Sequence, residues 1–200
     1  MNEERLKKQF AFIEEIDKEK NVFRQTYLAD GKRKENDAEH SWHLAVMAML
    51  MCEHANEDID VYRTMSMVLI HDLIEIDAGD TYAYDAQGNK TKREREIKAA
   101  DRLFNILPKD QAEKMRGLWD EFEAGITPEA KFANSLDKLQ PIMLNNASGG
   151  KSWEEHGVCA SQVYKRNAKT PDGSRAMWEY AEKNFIEPNL GRSLSDDREK

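Results

Sequence analysis

Hydrophobic positions recur at helical spacing along most of this chain. The first predicted helix has one apolar face, formed by Leu6, Phe10, Ile13 and Ile16. A second helix is predicted from Asn36, because Glu39 follows three residues later at the spacing of a capping box. Its sequence, "HSWHLAVMAMLMCEHA", is apolar on almost every side, which indicates a central position in the fold.

The remaining helices are marked by caps and helix-breaking residues. A third helix is predicted from about Val61 to Asp77, ending near Gly79. The later boundaries follow from the capping pair Thr91 and Glu94, the breaker Pro108, the terminating Gly125, the cap Thr127 with Pro128, the pair Ser152 and Glu155, and the turn "PDG" at 171–173. The last helix is expected to run through Phe185.

The chain shows no strand-like alternation, no internal repeat and no linker. An all-α fold is therefore predicted, with one helical domain over residues 1–188 and a flexible polar tail over residues 189–200. The length of 200 residues suits a single domain with a sizeable core.

Composition narrows the classes of partner. The net charge is −8 and no basic stripe is visible, so nucleic acid is not an expected partner. No apolar run reaches the roughly 18 residues of a membrane span. Only two cysteines are present, Cys52 and Cys159, without a disulfide framework, and a reducing cytoplasmic compartment is predicted.

The segment "LIHDLIEIDAGD" carries the most informative chemistry, because it places ionisable groups at the end of an apolar helix. Buried charges are costly unless they are paired or bind a metal. His71 and Asp72 have two further buried-looking partners on other helices, His40 and Asp137. Two imidazoles and two carboxylates suit Mn, Fe, Co, Ni or Zn better than Ca. The alternative is a set of satisfied polar residues in the core.

The order His40, His71-Asp72, Asp137 resembles that of the HD-domain metal-dependent phosphohydrolases. The blocks "ENDAEHSWHLAVMA", "HDLIEIDAGD" and "EAKFANSLDKLQ" are similar to the small single-domain branch that contains 5′-deoxynucleotidases. The resemblance implies that these four residues bind a divalent metal ion, whose identity stays open among Mn, Co, Zn, Fe, Ni and Mg. It also implies an HD-type helical bundle and a homodimer.

The same resemblance implies roles for other residues. Glu75 corresponds to the catalytic glutamate of the family, and Asp80 to an acid that lines the substrate site. Arg24 and Arg33 correspond to arginines suited to binding phosphate. Lys138 is either a group that neutralises substrate charge or a surface lysine.

The predicted function is metal-dependent hydrolysis of a phosphomonoester, with a nucleoside 5′-monophosphate as substrate. The deoxynucleotidase pattern has a tryptophan where this chain has Gln25, so the preference for deoxyribose is expected to be weak. Two alternatives stay open. One is hydrolysis of another phosphate compound, such as a cyclic nucleotide or an alarmone. The other is a catalytically silent regulatory module that binds metal or nucleotide.

Overall fold

The described part of the chain is mainly helical, as predicted, with one small two-stranded sheet. The computed structural model describes residues 3–80, 82, 84 and 90–198. The α-helices in this part are α1 Glu3–Ile16, α2 Asp37–Met51, α3 Val61–Ile70, α4 Glu75–Ala78, α5 Lys92–Phe104, α6 Lys109–Ala124, α7 Pro128–Ala147, α8 Lys151–Glu155, α9 Ala160–Arg166, α10 Thr170–Gly173 and α11 Arg175–Ala181. Shorter 3₁₀ turns cover Asp17–Asn21, Cys52–His54 and Glu187–Asn189, and a π-helical turn covers Glu182–Ile186.

Helix α7 is the centre of the packing. It contacts α2, α3, α6 and α10, and Phe132, Ala133 and Leu136 on it are fully buried. The helix starts as predicted, since the Thr127 side chain accepts a hydrogen bond from the Ala130 N–H and Pro128 occupies the first turn. The buried side chains of these helices form one large hydrophobic cluster.

Helix α2 packs against α3 and α7 and begins with the predicted capping box between Asn36 and Glu39. It is less enclosed than its composition suggests, because an exposed side carries Trp42, Met49 and Leu50. The capping bond predicted from Thr91 does not form, although Thr91 does precede α5. The "PDG" turn is part of the one-turn helix α10.

The predicted third helix is interrupted at the segment that carries His71 and Asp72. Helix α3 ends at Ile70, and α4 begins only at Glu75. In the intervening turn the Leu73 N–H bonds to the Ile70 carbonyl at 3.3 Å, and the Glu75 N–H bonds to the Asp72 carbonyl at 2.8 Å. These bonds have the i to i+3 spacing of a tighter turn, so the α-helical ladder does not continue through it.

A two-stranded antiparallel hairpin, β1 Phe23–Tyr27 and β2 Lys34–Asn36, lies between α1 and α2. The sequence analysis missed it, because the strands are short and alternate no hydrophobic residues. The residues they bury are polar instead, namely Arg24 and Glu35. The hairpin therefore brings an arginine into the interior beside the start of α2.

The C-terminal segment, predicted as a flexible tail over residues 189–200, is described as far as residue 198. Over residues 189–198 it folds back on α8 and α9, where Leu194 is fully buried in a second hydrophobic cluster with Trp153, Val158 and Ile186. The Ala160 N–H bonds to the Ser195 carbonyl at 2.8 Å, which ties the segment to the start of α9. Leu190 packs against the same cluster, so two leucines and a backbone hydrogen bond hold this otherwise polar segment in place.

Candidate metal centre and active site

Three elements bring the predicted metal ligands together. His40 comes from α2, His71 and Asp72 from the turn after α3, and Asp137 from α7. The ligand atoms of His40, His71 and Asp72 all lie within 4.8 Å of one another. Asp137 Oδ1 lies 3.1 Å from Nε2 of His40 and 3.6 Å from Nε2 of His71.

Both histidines present the same ring nitrogen to this cluster. His71 Nδ1 lies 2.9 Å from the Val68 carbonyl, which only accepts, so Nδ1 carries a proton and Nε2 is the nitrogen that faces the carboxylates, 3.0 Å from Asp72 Oδ2. His71 Nε2 is buried and lacks a hydrogen-bond partner. His40 Nδ1 lies 3.1 Å from Gln140 Oε1, and Gln140 Nε2 donates to Glu35 at 2.7 Å, which fixes the amide orientation. A divalent metal ion fits this donor set of imidazole nitrogens and carboxylate oxygens.

The charges of this cluster depend strongly on one another. Burial lowers the pKa of His71, but the charge of Asp72 and the contact with Asp137 outweigh it and raise that pKa well above its usual value. Burial raises the pKa of Asp137, but its hydrogen bond with His40 and its close contact with His71 hold that pKa well below the usual range. The carboxylates therefore stay ionised and strongly favour a positive charge between them.

Arg24 lies directly against the cluster. Its Nη1 donates to Asp72 Oδ2 at 2.7 Å and to Asp37 Oδ1 at 3.1 Å, and its Nε is buried without a partner. The sequence analysis overlooked Asp37, since an acid next to a helix cap reads as part of the helix start. Asp37 is fully buried, and burial together with the charge of Asp72 raises its pKa to about 8.

Glu75 and Asp80 line the same cleft as Asp72 and Asp137. Glu75 is the first residue of α4, is buried, and has an Oε2 atom without a hydrogen-bond partner. Burial, followed by the charges of Asp72 and Asp80, raises the pKa of Glu75 well above its usual value. Asp77, two residues further, is exposed and pairs with Arg102.

The cleft itself encloses about 780 Å³, part of it open to solvent. Besides Asp72, Asp137, Glu75 and Asp80 it is lined by Arg24, Gln25 and Lys138. Lys138 is half-buried, and burial lowers its pKa. Lys92 and Arg166 also line the cleft, and the sequence analysis missed both because their segments read as solvated helix ends.

Arg33 is not brought to the cleft, contrary to the role expected for it. Its guanidinium binds the Glu39 carboxylate through two hydrogen bonds of 2.8 and 2.6 Å, and the side chain is exposed. The capping residue Glu39 competes for this arginine, which was not apparent from the spacing along the sequence.

The sequence profile of the HD domain family matches residues 16–178. The chain belongs to the HD-domain family. A crystal structure of a predicted metal-dependent phosphohydrolase from Magnetospirillum magnetotacticum MS-1 is 46% identical, with a TM-score of 0.91, covering 96% of this chain and 97% of that one. A conserved hypothetical protein from Pyrococcus furiosus, 24% identical with a TM-score of 0.57, covers 86% of this chain and 98% of its own, and it supports the fold alone.

Curated relatives of this HD domain carry nucleotidase names. The 5′-deoxynucleotidase HDDC2 of Bos taurus is 33% identical over 113 residues, which are 56% of this chain and 53% of that protein. The 5′-deoxynucleotidase hdd1 of Schizosaccharomyces pombe is 28% identical over 136 residues, covering 66% of this chain and 67% of its own. The chain thus spans about half the length of the first of these relatives. Among the described helices of the HD domain, none is both long and apolar enough to cross a bilayer.

Proposed function

We propose that this HD-domain protein is a metal-dependent phosphomonoesterase acting on nucleoside 5′-monophosphates. The observation that carries the proposal is the convergence of His40, His71, Asp72 and Asp137 at one end of a cleft that also holds Glu75. The family membership supports it, and so do the nucleotidase names of the relatives.

The four ligand residues would hold one divalent ion. Such an ion polarises a phosphoryl oxygen and lowers the pKa of a bound water. His71 Nε2 is prepared to bind it, because its other ring nitrogen is already engaged by the Val68 carbonyl. The carboxylates of Asp72 and Asp137 would exchange their contacts with the histidines for contacts with the cation.

Glu75 is the proposed general base. Its carboxylate lines the cleft and is shielded from bulk solvent, with one oxygen free to accept a proton. A carboxyl group with a raised pKa can take a proton from the attacking water and return it to the leaving oxygen. Asp80, on the same wall of the cleft, would orient the substrate or the water beside it.

Arg24 and Lys138 are the proposed phosphate-binding residues, without Arg33. Arg24 is held rigidly by Asp72 and Asp37 but retains a donor at Nε. Lys138 follows the metal ligand Asp137 along α7 and faces the cleft. Both cations would offset the charge of the phosphoryl group as it redistributes in the transition state.

A homodimer and a cytoplasmic location are also proposed. The exposed apolar side of α2, with Trp42, Met49 and Leu50, offers a surface that a second copy could cover. Both cysteines, Cys52 and Cys159, are free thiols, as in a reducing compartment. Sedimentation equilibrium tests the dimer, and a monomer at micromolar concentration would contradict it.

The activity is tested with a phosphomonoester panel. Purified protein is stripped with chelator, reloaded separately with Mn, Co, Zn, Fe, Ni or Mg, and assayed for phosphate release from ribo- and deoxyribonucleoside 5′-monophosphates. The expected result is release from the nucleotides only after reloading. Hydrolysis confined to cyclic nucleotides or pyrophosphates, or none with any of these metals, would overturn the proposal.

A further inference from the structure

The cleft continues well beyond the metal centre, along one face of α7. Asp137, Pro141 and Asn145 follow one another at four-residue spacing, so they share a face of the helix, and all three line the cleft. Eight residues of α-helix from Asp137 to Asn145 span about 12 Å. A ligand whose phosphate lies at the metal end therefore meets Asn145 with the opposite end of the molecule.

Asn145 presents an unused acceptor at this distal end. Its Nδ2 donates to the Pro141 carbonyl at 2.9 Å, which fixes the amide orientation because the reverse would set two carbonyl oxygens against each other. Its Oδ1 is buried and has no hydrogen-bond partner, and the residue is only 5% exposed. A buried acceptor without a hydrogen bond costs free energy. This oxygen is therefore an expected place for a donor group of a ligand to bind.

Aromatic side chains line the same cleft as Asn145. Trp153, which is buried, and Tyr82 line it together with Asn145. The Tyr82 ring lies 4.4 Å from the His156 ring, which holds it in place. Flat apolar surfaces beside a single polar acceptor suit a planar heterocycle that carries an N–H group.

We propose that Asn145 is a specificity-determining residue that accepts a hydrogen bond from an N–H group of the nucleobase. This inference rests on the proposed nucleotidase function, which supplies the phosphate at the metal end. Each of the common bases has at least one N–H donor on its pairing edge. The acceptor therefore favours nucleotides as a class over phosphomonoesters that lack a base.

The test compares Asn145→Ala with a matched control, Asn134→Ala. Asn134 also lies on α7 and also donates Nδ2 to the carbonyl four residues earlier, at Ala130, as well as to the Phe122 carbonyl, but it does not line the cleft. For the best of the four common nucleoside 5′-monophosphates, Asn145→Ala should lower kcat/KM about tenfold, the effect of one neutral hydrogen bond. The inhibition constant of inorganic phosphate should stay unchanged, and Asn134→Ala should leave both values unchanged.

An equal loss for nucleotide and phosphate, or no loss for any nucleotide, would overturn the role of Asn145. If Asn145→Ala does not fold, Asn145→Ser replaces it, since a serine hydroxyl can still bond the Pro141 carbonyl. Calorimetric titration of the metal-loaded protein with the nucleotides separates the two proposals. Binding that depends on Asn145 without turnover would refute only the nucleotidase function, whereas turnover independent of Asn145 would refute only this inference. Neither binding nor turnover would refute both.

Discussion

Replacement of Glu75 by glutamine is the most direct test of the proposed chemistry. The change keeps the size of the side chain and removes only its ability to take up a proton. Glu75 is buried and its Oε2 has no hydrogen-bond partner, so the substitution breaks no contact of that atom within the fold. General bases typically contribute about 10²–10⁴ to the rate, which corresponds to about 2.7–5.5 kcal/mol of activation free energy.

The expected result for Glu75→Gln is a fall in kcat of this size, with unchanged KM and unchanged metal content. Steady-state phosphate release and metal analysis of the same preparation measure these quantities. Asp77→Asn is the matched control, because Asp77 is exposed and its pairing with Arg102 at the surface contributes at most about 1 kcal/mol of stability. The kcat of Asp77→Asn should stay within about twofold of the wild-type value, because the loss of such a surface ion pair changes little in the fold.

Two outcomes would refute the reasoning about Glu75. Nearly full activity of Glu75→Gln would remove it as the base. If Asp80→Asn were then inactive, Asp80 would take the role, since it lines the same wall of the cleft. Loss of metal from Glu75→Gln would make Glu75 a ligand or a support for the ligands, and another group would have to activate the water.

Three further predictions concern the metal and the substrate. Asp72→Ala should abolish stoichiometric metal binding, since it removes a ligand carboxylate from the cluster, and full occupancy by metal analysis would exclude Asp72 from the ligand set. Arg24→Lys should lower kcat/KM by about ten- to a hundredfold, because lysine cannot replace a guanidinium that bonds two carboxylates. The kcat/KM of Arg33→Ala should stay near the wild-type value, and equal losses in the two variants would contradict this prediction. The ratio of kcat/KM for deoxy- over ribonucleotides should be within about tenfold of one, since Gln25 lacks the flat apolar wall that excludes a hydroxyl, and a strong deoxy preference that survives Gln25→Ala would refute it.

Local signals predicted the helix boundaries well, because caps and breakers act within one turn. The capping box at Asn36, the Thr127 cap with Pro128 and the left-handed Gly125 after α6 all depend on neighbouring residues only. The ligand residues could be recognised for a different reason. Ionisable side chains within apolar helices are rare, so their order along the chain is informative even without distances.

The features that could not be predicted depend on contacts between distant segments. The hairpin buries polar residues. One of them, Arg24, donates a hydrogen bond to Asp72, which lies 48 positions later in the sequence. Arg33 has the residue type for phosphate, but Glu39 already binds it. Leu190 and Leu194 are isolated apolar residues in a polar segment, and their packing on the second cluster could not be inferred from their local sequence.

The two hydrophobic clusters support different parts of the proposed substrate site. The proposed metal ligands lie on α2, on α7 and in the turn after α3, beside side chains of the large cluster, whereas Trp153, which also lines the cleft, belongs to the small cluster with Leu194. A small cluster of a few side chains is the kind of unit that opens locally at lower free energy than the whole domain. If the cleft binds a nucleotide as proposed, opening there would let the product leave without disturbing the proposed metal ligands.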